Sequence, residues 1–332
     1  MAIPQEVSIG VVAESTYKTG VTVTQFYEPT DESLDFTPGI VQGEGLRVGK
    51  IGDFSDRRVV PTAQGSGDFT VEAISKSMGK LFQAALGTGV GTVIAGAAYM
   101  QNFTPGNTPA SLTIQKATIE AGGTVDAVTF LGCMCTDWEL AFTNAGLVTF
   151  KPSWDIGDIT TATAYAAPSY VTSATLYHWA NATFSTGTYT AATTTALATG
   201  ATAMTNVRSL TVTGKNNMTV DRFNGGGAGR KSKPIMGKRE FNGTIVLEYD
   251  STTFRDAYLA QTQLSVIGKV TGAAVGASTE TLQVNLPAIK LDKGIAQANG
   301  DGLVTVSHDF TALDDRTNPM VQIQYLTGDT TI

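Results

Sequence analysis

Few residues in this sequence have types and spacing that could do chemistry, and the most suggestive are glycines next to basic residues. The run Gly225–Ser232 reads GGGAGRKS, which resembles a phosphate-binding loop. That pattern requires a glycine directly before the lysine and a helix after it. Here Arg230 precedes Lys231, and Pro234 follows two residues after the run. The run therefore predicts a flexible basic loop rather than a nucleotide site.

Other candidate catalytic residues are equally incomplete. The two histidines, His178 and His308, have no neighbours that complete a triad or a metal set. The acidic pairs at Asp53/Asp56 and 314–315 lack the regular ligand spacing of a calcium loop. Carboxylates from two strands could still meet as a glycosidase pair, which the sequence leaves open. We expect no enzyme activity, no metal and no cofactor.

The only two cysteines, Cys133 and Cys135, would share one face of a strand. A strand holds side chains at this spacing too rigidly for a good disulfide, and two thiols cannot complete a zinc site. We expect both to be buried free thiols.

The composition suggests a protein that packs against other copies. Charged residues make up 15% of 332, whereas about 25% is usual for soluble domains. The net charge of −7 is uneven, because residues 1–160 carry 9 Lys/Arg and 17 Asp/Glu while the remainder carries 13 and 12. An acidic face could then meet a more basic one in ordered head-to-tail contacts.

No apolar run is long enough to span a membrane, so we expect no membrane contact. The N-terminal residues have no basic segment and only a short apolar run, which does not indicate a signal peptide. We expect the protein to be made and kept in a cytoplasm.

The stretch Gly67–Gly87 shows two periodicities in succession. Apolar and polar residues alternate over Phe69–Ala73, which predicts a strand with one buried face. Apolar residues then recur at helical spacing over Ile74–Leu86, with Ser75 as a possible N-cap and Gly87 as a left-handed C-terminal residue. A strand followed by a short amphipathic helix is predicted.

The same order of patterns returns 176 positions later in Gly243–Ala260, where Glu248 replaces Glu72. In addition, Gly146–Thr149 and Gly302–Thr305 are the same tetrapeptide, GLVT. These echoes predict an internal duplication. Thr-rich strands also resemble each other by chance, so the alternative without duplication stays open.

Strand patterns dominate, with one helix and one long loop in each half. We predict a mainly β chain with a first domain at 1–160, a Thr/Ala-rich linker and start of the second copy at 161–204, and a second domain at 205–332. The long loop of the first half is rich in glycine and charge, and that of the second half is more basic, with a cluster at residues 230–239. One such cluster in an acidic protein is a weak nucleic-acid footprint. We predict instead that the long loops contact neighbouring subunits. The candidate contact residues are Arg47, Arg57, Arg58, Arg230, Lys231, Lys233 and Arg239.

Three segments carry a resemblance to a known family: VSIGVVAESTYKTGVTVTQFYE, GDFTVEAISKSMGKLFQAALG and FLGCMCTDWELAFTNAGLVTFKPSWDI. Their pattern resembles the major tail tube proteins of long-tailed, siphovirus-type bacteriophages. The resemblance implies antiparallel sheets forming a barrel-like sandwich with one flanking helix per domain. It also implies a long loop that reaches a neighbouring subunit and strands of six domains that join around a lumen.

This resemblance implies a structural virion protein that assembles into stacked rings, forming the hollow tail tube that delivers DNA. With two tandem domains per chain, a trimeric ring is expected, and a hexameric ring is the alternative. Glu72 and Glu248 are candidate lumen-facing acids that would repel passing DNA without specific binding.

The implied partners are other copies of the chain and the tape measure, tail terminator and distal tail proteins. The implied location is the virion tail, after assembly in the host cytoplasm. Two alternatives remain: a carbohydrate-binding or hydrolytic β-sandwich on a virion or cell surface, and the tube protein of a bacterial injection system.

Overall fold

Antiparallel strands form most of the structure, and two eight-residue helices interrupt them. The computed structural model describes residues 2–107, 109–120, 122–226, 229, 231–297 and 302–332. The mainly β prediction is confirmed. Within these ranges no helix is long and apolar enough to cross a bilayer.

The helices are α1 (Gly79–Leu86) and α2 (Thr253–Ala260). In the described ranges the strands, in chain order, are β1 (Ala2–Ala13), β2 (Gln25–Tyr27), β3 (Pro29–Glu32), β4 (Asp35–Gln42), β5 (Arg58–Glu72), β6 (Val90–Ala95), β7 (Ala98–Phe103), β8 (Leu112–Glu120), β9 (Val125–Phe142), β10 (Val148–Ile156), β11 (Asp158–Thr160), β12 (Ala182–Thr190), β13 (Thr199–Met204), β14 (Val207–Lys215), β15 (Glu240–Glu248), β16 (Leu264–Val275), β17 (Ser278–Leu291), β18 (Thr305–Ala312) and β19 (Gln322–Thr327).

One sheet runs through both halves of the chain. Strands β3 and β4 pair with β5, and the order then continues β10, β9, β14, β15 and β18, all antiparallel. We call β5, β10, β9, β14, β15 and β18 the joined sheet. Its strands have one buried face because apolar side chains occupy every second position, as Ile245 and Leu247 do in β15.

Strand β9 belongs to two sheets. Its first part pairs with β8 and β11 in a sheet that also contains β1 and β2, and its second part belongs to the joined sheet. Gly132 lies between the two parts with a φ of 64°. A Cβ atom there would come within 2.7 Å of the Tyr17 ring, so both the backbone conformation and the space favour glycine.

A third group of strands also links the halves. Its order is β13, β12, β16, β17, β19, β7 and β6. The last strand of the chain, β19, therefore pairs with β7 from the first half. The Thr/Ala-rich region is divided, because residues 182–204 contribute β12 and β13, and β12 pairs with β16. Phe184 lies in β12, within the region predicted to begin the second copy.

The core beneath these strands centres on Phe82 of α1. Its ring lies 5.0 Å from the centroid of Phe150, and 5.7 Å from those of Phe103 and Tyr325. All four side chains are buried. Since Tyr325 comes from β19, the first helix packs against both halves of the chain.

The predicted start of α1 was wrong, whereas its predicted end is confirmed. The helix begins at Gly79 with Met78 at the N-cap position, so Ser75 does not cap it. Instead the Ser75 N–H donates to the Thr175 carbonyl at 2.9 Å, and the Ser75 hydroxyl accepts from the Thr175 N–H at 2.9 Å. Gly87 follows the helix with a φ of 94° and donates its N–H to the carbonyl of Gln83.

Candidate assembly surfaces

The two GLVT tetrapeptides occupy corresponding places in the sheet. Thr149 of the first copy lies opposite Glu72, and Thr305 of the second lies opposite Glu248. Phe150, which follows the first tetrapeptide, lies opposite Val71. Val306, which follows the second, lies opposite Leu247. The sequence echoes thus coincide with matching strand pairs.

The two halves meet edge to edge where β9 pairs with β14. Phe142 lies opposite Leu210, and Leu140 lies opposite Val212, with all four side chains buried on the same face. Trp138 lies opposite Gly214, where any Cβ atom would collide with the indole. This seam therefore combines a regular ladder with close side-chain packing.

The opposite face of the joined sheet is polar from one edge to the other. One cross-strand row reads Glu72, Thr149, Ala141, Thr211, Thr244 and Asp309. Small and hydroxyl side chains occupy the middle of this row, and a carboxylate lies at each end. Such a face has no apolar patch that would hold a passing polymer.

Acidic side chains outnumber basic ones on this polar face. They are Asp68, Glu72, Asp137, Glu139, Glu240, Glu248 and Asp309, against Lys151, Arg208 and Lys215. Glu248 pairs with Arg208 at 2.9 Å, and both side chains are about 40% exposed. Glu72 has no ion-pair partner among the described residues, so its charge is the less compensated of the two predicted lumen acids.

Residues 216–239, here called the second loop, return to the first half of the chain. At one end the Asn216 amide donates to the Cys135 carbonyl at 2.7 Å and to the Ala85 carbonyl at 3.1 Å. At the other end the Arg239 guanidinium donates to the carbonyl of Leu86 at 2.5 Å and to that of Gly106. Both ends thus supply donors to the C-terminal end of α1, where carbonyls lack helical partners.

The middle of the second loop is held by a buried ion pair. Lys231 Nζ contacts Asp155 Oδ1, with side-chain exposures of 1% and 6%. Burial raises the pKa of the Asp155 carboxyl, against the lowering effect of Lys231. Of its predicted contact residues, Lys231 and Arg239 are thus used within the chain, Lys233 is exposed, and Arg230 lies outside the described residues.

The first half carries a contrasting element, a long hairpin in which β4 pairs with the beginning of β5. We call residues 35–66 the first arm. At its tip the guanidinium groups of Arg47 and Arg57 lie 5.7 and 5.3 Å from the Phe54 ring centroid. Arg58 is exposed and, within the described residues, forms no ion pair.

The first arm also exposes aliphatic side chains. Leu46, Val48 and Ile51 at the tip are fully exposed, and the stem residues that are about half exposed are Ile40, Val41, Val59 and Val60. Exposed apolar side chains gathered on one projecting element indicate a surface that contacts another molecule.

The joined sheet ends in incompletely paired edges on both sides. Strands β3 and β4 pair only with β5 in the described part of the chain. At the other end, β18 pairs with β15 along its length and with β17 only at Phe310–Ala312. Unpaired N–H and C=O groups on such edges can bind a further strand.

The remaining residues with possible chemistry have structural surroundings. Cys133 and Cys135 are buried free thiols, as predicted, and burial raises the pKa of each. His308 is buried, with Nδ1 3.3 Å from the Lys293 carbonyl and its ring 5.3 Å from that of Phe254. Among described residues, no group of three or more His, Cys, Asp and Glu could hold a metal ion.

Sequence reasoning did not identify Asp155 and Asn216 as residues that hold the second loop. Asp155 lies between the buried residues Trp154 and Ile156 near the end of β10. A charged residue in an apolar strand end is a signal that a buried partner is required. Asn216 has no comparable signal, because its partners are backbone carbonyls.

Comparison with known proteins agrees with this architecture. The search of curated proteins found no match to the chain. The family described as phage tail tube protein matches residues 4–312, which is most of the chain. The chain therefore belongs to the phage tail tube protein family.

Proposed function

We propose that this protein is a structural subunit that assembles head to tail into rings, which stack into the hollow tail tube of a siphovirus-type phage. The observation that carries the proposal is the β9–β14 seam, where the two halves already join as neighbouring units of one sheet. Repeating this contact between chains gives a heterologous interface, which closes into a ring when the rotation permits.

The edge strands supply the surfaces through which one chain would pair with the next as β9 pairs with β14. At the offset of 176 positions, β14 corresponds to residues 31–39, which include the second half of β3 and the first five residues of β4. Since β14 is paired on both sides and β3 and β4 on one, the edge of β3 and β4 is the one that meets the next chain. Its partner edge lies at the β17 and β18 end of that chain. This duplication of two tandem domains, 1–160 and 205–332 with 161–204 between them, favours a trimeric ring over the hexameric alternative.

The polar face of the joined sheet is the proposed lumen wall. Its acidic excess, including Glu72 and Glu248, would repel DNA phosphates and leave DNA free to pass without specific binding. The short hydroxyl side chains in its central row add no strong anchor for a passing strand.

The proposed partners beyond the chain itself are the tape measure, tail terminator and distal tail proteins. The proposed locations are the virion tail and, during assembly, the host cytoplasm. These proposals rest on the family to which the chain belongs. A bacterial injection-system tube would use the same architecture and remains an alternative context.

The carbohydrate-binding or hydrolytic alternative is less well supported. A sugar-binding groove needs exposed aromatic rings, whereas Trp138 and Trp154 are each 2% exposed. Trp179 is half-buried and packs 5.4 Å from the Phe184 ring. No catalytic step is therefore proposed.

Electron microscopy of the purified protein over a range of concentrations tests the proposal, with light scattering on the same samples. Rings or tubes with threefold averages are expected, and sixfold averages would replace the trimer with the hexamer. A monodisperse monomer at every concentration, also after addition of preformed tail tips, would overturn the assembly proposal.

A further inference from the structure

We propose that the exposed face and C-terminal end of α2 bind the first arm of a second copy of this chain. This inference rests on the proposed ring and identifies one surface of its interface. The two helices differ in what surrounds them.

The chain itself covers α1. Five of its eight side chains, Leu81, Phe82, Ala84, Ala85 and Leu86, are at most 2% exposed. Donors from both ends of the second loop reach its last two carbonyls, at Ala85 and Leu86. Near its start, the carboxylate of Asp329 accepts from the Ser77 N–H at 2.5 Å.

Among the residues that the structure describes, none covers the second helix in this way. Only Ala257 of α2 is buried, while Leu259 is 64% exposed. In the described part of the chain, the carbonyls of Leu259 and Ala260 accept no hydrogen bond from outside the helix. The end of α2 is instead fixed by Gln261, whose side chain donates to the Leu291 carbonyl at 3.0 Å.

The first arm is the element that corresponds to the second loop. At the offset of 176 positions, residues 216–239 correspond to 40–63, which are the outer stem and tip of the first arm. The second loop leaves the β9–β14 seam and covers α1 of the neighbouring half. An equivalent seam between chains would place the outer stem of the first arm beside α2, so that its exposed valines cover Leu259.

One pair of opposite charges is available between the two surfaces, Arg58 of the arm and Asp292 near α2. Asp155, which binds Lys231 in the first half, corresponds at the 156-position offset of the GLVT repeats to Thr311. Thr311 donates its hydroxyl proton to Asp292 Oδ2 at 2.7 Å, so an exposed carboxylate occupies this place. Arg58 on the arm is an exposed cation that is free to pair with it. The occupant is thus a second copy of the chain, which supplies both aliphatic and basic side chains.

A disulfide trap tests the contact directly. The double variant Val59→Cys/Leu259→Cys should form covalent oligomers under mild Cu(II) oxidation of assembled protein, up to closed rings. Each single variant should remain monomeric on denaturing gels, because Cys133 and Cys135 are buried. The matched control Val59→Cys/Val93→Cys uses a similarly exposed valine on β6 and should not cross-link.

Charge reversal provides the second measurement. Arg58→Glu and Asp292→Arg should each lower the yield of assembled protein at least tenfold, and the double variant should restore most of it. Rings that form without cross-links and without charge-swap rescue would overturn this inference and leave the proposed function intact. Failure of the wild-type chain to form rings under all conditions would overturn both.

Discussion

Helices α1 and α2 follow corresponding strands, yet the described part of the chain covers only α1. Phe82 of α1 lies in an aromatic cluster without solvent contact, whereas the matching Tyr258 of α2 is only partly buried. The second loop and the C-terminal segment cover α1. Nothing equivalent covers α2 in the described part of the chain.

This difference follows from position along the chain rather than from helix composition alone. The second half lies next to the first, so its loop can reach α1 within one molecule. In the described part of the chain, no hydrogen bond joins the first arm to either helix. Contacts that stabilise folding in one half therefore correspond to proposed contacts between copies in the other.

The largest expected effect is a loss of unfolding free energy that differs between variants of α1 and α2. Phe82→Ala should lower the free energy of unfolding by about 3–5 kcal/mol, because it removes a fully buried ring and leaves a cavity. Tyr258→Ala should cost less, since Tyr258 is only partly buried. Urea unfolding of unassembled protein followed by circular dichroism would measure both changes.

The comparison should be made at protein concentrations below those that give light-scattering oligomers. Assembly would otherwise stabilise the folded chain by mass action and mask the contribution of each helix. Equal losses for the two variants would mean that the halves do not differ in the way described.

The next effect concerns the ion pair that holds the second loop. Asp155→Ala should lower the free energy of unfolding by about 3–5 kcal/mol, because it leaves the Lys231 charge buried without compensation. Asp68→Ala is the matched control, since Asp68 pairs with Lys151 at 3.3 Å on a partly exposed surface. That pair should contribute less than about 1 kcal/mol.

Thermal or urea unfolding measures both variants, and protease cleavage within residues 216–239 shows whether the loop is released. A stable Asp155→Ala protein with an uncut loop would contradict the role given to the ion pair.

Local patterns in the sequence were sufficient for the strand before α1 and for the end of that helix. Alternation predicted the strand of Phe69 and Val71, and a glycine with the needed conformational freedom predicted the end at Gly87. The two GLVT repeats predicted a correspondence that appears as matching strand pairs. Each of these signals lies within a few residues of the feature that it specifies.

Long-range contacts had no such local signal. Ser75 was predicted to cap α1, but its hydroxyl accepts from Thr175, a hundred residues away. The contact of Lys231 with another subunit stays a prediction, and its carboxylate partner within the chain, Asp155, is 76 residues distant. Strand β9 takes part in two sheets at a point where Gly132 lies close to the Tyr17 ring. The sequence around Gly132 does not show that Tyr17 is its neighbour, so this feature was not predictable from local patterns.

A smaller loss of stability is expected when the hydrogen bonds between Arg239 and the end of α1 are removed. Arg239→Ala removes charge-assisted hydrogen bonds to the Leu86 and Gly106 carbonyls, which should cost about 1.5–3 kcal/mol. Lys238→Ala is the neighbouring control, since Lys238 is exposed. Hydrogen exchange should show faster exchange in α1 and no change in α2, whereas a uniform increase would contradict a local effect.

The smallest effect is a pH dependence of α2 that comes from His308. Burial lowers the pKa of His308, which packs against Phe254 of α2. A lowered folded-state pKa means that the neutral ring stabilises the fold above the unfolded pKa of about 6.5, and this stabilisation is lost as pH falls through the folded pKa. At the 156-position offset of the GLVT repeats, His308 corresponds to Pro152 in the first half, which cannot titrate.

Between pH 7.5 and 5, hydrogen exchange should therefore show weakening of α2 relative to α1 after correction for intrinsic rates, and His308→Phe should abolish the difference. Because α2 is also the proposed docking site, its weakening would make the interface depend on the protonation of His308. Equal hydrogen-exchange rates in α2 at pH 7.5 and pH 5, after the same correction, would contradict this dependence.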